Sequence, residues 1–129
     1  MSKKSNVVYF IPALAWAIII LVLSVISGKK LPNLDFWTLT SPDKAGHAFF
    51  HFVFTVLLFY GRVKSTQQVK VKTAIVAFCI AGLYGIGIEI IQKTMFSYRN
   101  FESLDIVANI IGSLIAMTGI IIWLKIFRK

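Results

Sequence analysis

His47 and Glu89 are the side chains in this sequence best suited to move a proton or to hold a charged group, and their neighbours share that chemistry. All five acidic residues (Asp35, Asp43, Glu89, Glu102, Asp105) and both histidines (His47, His51) fall in or beside two of the three segments that connect four long apolar runs. At about 100° per residue, Asp43, His47, Phe50 and His51 form one helical stripe with Lys44 on its flank. Gly82, Gly85, Glu89 and Gln92 share a second face, and Asp105, Asn109, Gly112 and Ala116 a third. Each face carries polar groups toward one end and small residues deeper. Small residues let helix backbones approach closely in lipid, so the three faces are expected to meet, with Gly82, Gly85, Gly112 and Ala116 as the packing positions.

The elements that must position these groups are membrane helices. The chain has 129 residues, of which 57% are hydrophobic and only 15% charged, too few polar residues to coat a soluble globule. A spanning helix needs about 20 predominantly apolar residues. Four such helices, at about 6–27, 42–61, 73–93 and 104–127, consume most of the chain and predict one all-α domain over 1–129, a polytopic four-helix bundle. The first run is too long for a signal-peptide core, and Ser24 to Gly28 is a poor cleavage site. Cys79, the single cysteine, lies within an apolar run and is expected to serve as a small hydrophobe.

The net charge of +9 has a topological explanation rather than a nucleic-acid one. Lys3, Lys4, Arg62, Lys64, Lys70, Lys72, Lys125, Arg128 and Lys129 lie at the two termini and in the second loop, which an even number of spans puts on one side. By the positive-inside rule that side is cytoplasmic, giving an N-in/C-in arrangement. The other two loops then face outward. Residues 28–40, with Leu31, Leu34, Phe36, Trp37 and Leu39, and residues 93–103, with Phe96, Tyr98 and Phe101 around Arg99, have the mixed composition of headgroup-zone segments. Ser41-Pro42-Asp43 and Ser103-Leu104-Asp105 both read as helix starts with an acid in the first turn. Two helix N-termini would therefore point outward and could attract an anion.

At about 1.5 Å per residue, His47 and Asn109 lie one turn inside the starts of their helices and Glu89 one turn inside the end of its own. They are expected to occupy one layer, where an ionisable group must be paired or functional. Asp43 and Asp105 have simpler roles available as stabilisers of helix N-termini. His51, between Phe50 and Phe52, is expected to pack as an aromatic. Gln92 and Asn109 could serve as interhelical hydrogen-bond glue. His47 and His51 have the i, i+4 spacing of a zinc pair, with Glu89 or Asp105 to complete the shell. That spacing is common by chance, no second histidine pair exists, and neither a metal nor another cofactor is expected.

Asp43-Lys44-x-x-His47, Glu89-x-x-Gln92, Arg99, Ser103 and Asp105-x3-Asn109-x2-Gly112, on consecutive spans in this order, resemble the VanZ-like family of small bacterial membrane proteins, named for a protein linked to teicoplanin tolerance. The resemblance covers about residues 40–116. His51 departs from it, since the family places a tyrosine or other aromatic there. The resemblance implies a multi-pass protein of the bacterial cytoplasmic membrane, and Asp43, Lys44, His47, Glu89, Gln92, Arg99, Asp105 and Asn109 as the binding residues. It implies no reaction. Three functions compete: an outward-facing site that binds or modulates a lipid-linked or otherwise anionic envelope component; a membrane enzyme using His47 and Glu89 as an acid/base pair on a headgroup; and a purely structural bundle. The bilayer is the one partner common to all three, and no nucleic-acid partner is expected.

Overall fold

The computed structural model describes residues 6–26, 42–95 and 102–128. A short 3-10 turn, Asn6–Phe10, leads into α1 (Ile11–Ile26), followed by α2 (Pro42–Thr66), α3 (Val71–Met95) and α4 (Ser103–Phe127). All four helices are long and apolar enough to cross a membrane, as the sequence predicts, and α2 is the least apolar of them. The described residues contain no strand.

Packing turns the usual soluble arrangement inside out. The largest fully buried side chains are Lys44, His51, Gln92, Thr55, Asp105 and Ser113, whereas Ile, Leu and Val line the outside, Leu83 being 69% exposed. An apolar exterior over a polar interior suits lipid, where exposed hydrocarbon costs nothing and polar groups must satisfy one another.

The helices alternate in direction, yet the most extensive packing joins the parallel pair α2 and α4. Gly112 makes this possible: a Cβ there would lie 1.9 Å from the Ala48 carbonyl oxygen, so the two backbones touch. Both α2 and α3 also contact α1, while no close approach of α1 to α4 is found among the described residues.

Two boundaries differ from expectation. Gly61 does not end α2; it lies against Phe10 and the Tyr9 carbonyl, where a Cβ would come within 2.9 Å of each, so its smallness serves packing. The helix continues to Thr66 and stops where Gln67 turns to φ 55°, its N–H donating to the Val63 carbonyl at 2.8 Å. The basic loop is therefore much shorter than 61–72, with Arg62 and Lys64 on the last turns of the helix. At α4, Glu102 rather than Ser103 is the N-cap residue, with extended backbone and no side-chain capping bond, and Ser103 is already helical. The cap expected at Ser41 lies outside the described residues.

Candidate functional site: an ion cluster at paired helix starts

Because α2 and α4 run parallel in contact, their N-termini lie side by side. Each carries about half a positive charge, and carboxylates in the first turns, Asp43 on α2 and Asp105 on α4, oppose it. Lys44 then reaches between the two helices. Its side chain is fully buried, and its ammonium donates to Asp43 Oδ2 at 3.1 Å, to Glu102 Oε2 at 2.7 Å and to Asp105 Oδ1. Asp105 is equally buried, whereas Asp43 and Glu102 face the rim.

One turn deeper, His47 stands between the aspartates and Asn109. Its Nδ1 lies 3.2 Å from Asn109 Oδ1, and its Nε2 3.6 Å from Asp105 Oδ2 and 3.9 Å from Asp43 Oδ1. Each aspartate thus divides its oxygens, one toward the Lys44 ammonium and the other toward the imidazole. The His47 side chain keeps 19% of its surface exposed.

Below this layer the polar seam continues inward. Asn109 of α4 and His51 of α2 both meet Gly85 of α3: a Cβ on Gly85 would come within 2.9 Å of both Asn109 Nδ2 and His51 Cε1. His51 is buried against Phe54 and Tyr84, with ring centroids 6.4 Å away in each case, which agrees with its packing role. Thr55 returns its hydroxyl to the His51 carbonyl at 2.8 Å, and Ser113 is buried on α4 one residue past the Gly112 contact.

The sequence-predicted residues separate into three groups. Asp43, Lys44, His47, Asp105 and Asn109 converge as described. Glu89 and Gln92 are buried on α3, but Gln92 Nε2 donates across to the Ser24 carbonyl of α1 at 2.7 Å, so it ties down the first helix instead of joining the cluster. The carboxylates found beside His47 are Asp43 and Asp105 rather than the expected Glu89. Arg99, with Trp37, Tyr98 and Phe101, lies outside the described residues.

Among the packing positions, Gly85, Gly112 and Ala116 are buried at helix contacts as expected. Gly82 differs: no atom beyond its own helix lies within 4 Å of where its Cβ would be, because rotation of α3 turns Ala81 and Gly85 inward.

Sequence reasoning missed Glu102 as a ligand of Lys44, although its i, i+3 relation to Asp105 at a helix start was a readable signal. It placed α1 but not the bonds that hold it, which come from Trp16, Tyr84 and Gln92. Comparison with protein-family models, with curated proteins and with solved structures finds no match to this chain.

Proposed function

We propose that this chain is a VanZ-like, multi-pass protein of the bacterial cytoplasmic membrane, N-in and C-in, whose outward end binds the headgroup of an anionic envelope component and contributes to glycopeptide tolerance. The observation that carries this proposal is the partly exposed His47, held by Asn109 and flanked by two aspartates at the paired starts of α2 and α4. A purely structural bundle would use the same buried Lys44 cluster but would gain nothing from presenting an imidazole at its rim.

The geometry changes the part assigned to Lys44. Its ammonium is consumed by three carboxylates, so it organises the site and does not hold an external anion. Contact with a headgroup falls to His47 and to the outer loops. A membrane enzyme acting on that headgroup is the alternative, favoured by the support His47 receives from Asn109 and Asp105, which fixes the ring as a reacting imidazole requires.

The test is untargeted lipid mass spectrometry, with teicoplanin tolerance measured in parallel, on cells expressing wild type, His47→Ala or Glu89→Gln at matched levels. Binding predicts altered abundance of an existing envelope lipid, and catalysis a lipid of new mass, each lost in His47→Ala. Identical lipid profiles and tolerance in all three would leave the structural bundle as the answer.

A further inference from the structure

We propose that Asp43, His47 and Asp105 form a divalent-cation site, with Asp43 Oδ1, His47 Nε2 and Asp105 Oδ2 as ligand atoms. One ligand atom from each of these residues lies within 4.8 Å of the other two, and Nε2 stands 3.9 Å from Asp43 Oδ1 and 3.6 Å from Asp105 Oδ2. The site stands on its own geometry and does not depend on the headgroup proposal.

The first support is the identity of the converging atoms. Asn109 Oδ1 is an acceptor, so the 3.2 Å contact calls for a proton on His47 Nδ1. In the neutral ring Nε2 then carries a lone pair, and it faces two carboxylate oxygens. In that tautomer three acceptors are directed at one point, an arrangement that a cation between them would satisfy. A histidine ligand oriented through its other nitrogen is also the usual arrangement around protein metals.

The second support is independent of the cluster's charge. Asp105 is 1% exposed, yet its Oδ2 has no hydrogen-bond partner. A buried carboxylate oxygen left unpaired is costly, and here it is the atom on the His47 side, since Oδ1 is taken by Lys44.

Distances discriminate between possible occupants. At 3.6 and 3.9 Å the oxygens are too far from Nε2 for direct hydrogen bonds. A bridging water, with two bonds of about 2.8 Å at a tetrahedral angle, would hold its partners about 4.6 Å apart. A tetrahedral metal with bonds of about 2.0–2.2 Å holds its ligands about 3.3–3.6 Å apart. The two separations measured from Nε2 are nearer the metal's.

Charge agrees. Three carboxylates, opposed by one ammonium and by two helix ends worth about half a charge each, leave the described cluster short of about one positive charge when His47 is neutral. One imidazole with two carboxylates suits Zn²⁺ or Mn²⁺. The partly exposed His47 and Asp43 side chains leave coordination positions open toward the end of the bundle. The histidine pair suggested by sequence, His47 with His51, is not the site: His51 is turned into the aromatic core, and the two aspartates take its place. His47 then serves as a ligand, and an enzyme would need another base.

Tag-free protein in detergent, stripped with a chelator, would be titrated with Zn²⁺ and with Mn²⁺ by calorimetry, and the bound metal counted by mass spectrometry. One saturable ion per chain is expected for wild type. Binding should weaken at least tenfold in Asp43→Asn and in His47→Gln, and stay within twofold in Lys64→Gln at the far end of α2. Asp43 is on the rim, so its variant should keep the fold; circular dichroism and gel filtration check each variant. Absence of saturable binding to wild type, or wild-type affinity in folded Asp43→Asn and His47→Gln, would overturn the site.

Discussion

The packing of α2 on α4 and the attachment of α1 to the bundle are built on opposite principles. Toward α4, backbones touch at Gly112 and Ala48, and charged groups interlock at the helix starts. Toward α1 the bonds are made by long side chains reaching to backbone carbonyls. Trp16 Nε1 donates to the Phe50 carbonyl at 2.9 Å, and its ring packs on that of Phe50 with centroids 5.5 Å apart. From α3, Tyr84 donates to the Ala17 carbonyl at 2.6 Å and Gln92 to that of Ser24. The contrast teaches what each interface can tolerate. A backbone contact admits no added atom, and the fully buried Lys44–Asp105 pair admits no missing partner. The clips on α1 are separate neutral hydrogen bonds, each worth about 0.5–1.5 kcal/mol net, and they can be lost singly.

Gly112→Leu is the most severe way to break the first interface. It should force α2 and α4 apart and deplete the folded protein, a loss of about 3 kcal/mol, the upper end of what overpacking typically costs. Ala48→Gly should not rescue it, because the clash is with the Ala48 carbonyl itself. Normal abundance and thermal stability of Gly112→Leu in detergent would remove the α2–α4 contact from the fold. Next comes Lys44→Met, which leaves Asp105 as a buried charge without its ammonium and should destabilise by about 3–5 kcal/mol. Adding Asp105→Asn should recover much of that loss, and a double-mutant cycle in thermal unfolding would measure the coupling; strict additivity would show that the pair is not coupled.

The α1 clips sharpen the comparison. Tyr84→Phe and Gln92→Leu should each lose about 1 kcal/mol, and as separate bonds two helical turns apart on α3 their losses should add within about 0.5 kcal/mol. Marked non-additivity would mean that α1 docks as one cooperative unit. The smallest effect is expected at Gln67, whose left-handed backbone suits glycine: Gln67→Gly should raise stability by up to about 1 kcal/mol, partly offset by loss of its side-chain bond to the Lys64 carbonyl. A lower unfolding temperature would show that the side chain matters more than the backbone.

Four spans were legible because apolar runs of this length have few other uses, and the α2–α4 seam because its residues recur at helical spacing. Asp43, Lys44, His47, Asp105 and Asn109 could be grouped from stripe and depth alone. On α3 the buried face was read correctly at Gly85, Glu89 and Gln92, and Gln92 does bond between helices, but Gly82 was placed on that face when Ala81 takes the inward position, since the faces of α3 carry similar apolar residues. Nor could sequence tell that Lys44 would be enclosed by acids instead of facing outward, because that depends on α2 and α4 being parallel neighbours. The α1 clips end on backbone carbonyls, which no residue type marks.

The Lys44 cluster also bears on how the protein enters the membrane. Lys44 and the carboxylate that most fully encloses it are 61 residues apart in the chain. At synthesis rates of about 5–20 residues per second, Lys44 is incorporated roughly 3–12 s before Asp105 exists. In that interval the least apolar of the four helices carries Lys44 with Asp43 as the one carboxylate partner on its own helix, and two histidines, a poor candidate for stable insertion on its own. Its final placement must wait for α4, so integration of α2 through α4 should be a late, concerted event, and a nascent chain halted before α4 should leave α2 open to extraction from the bilayer.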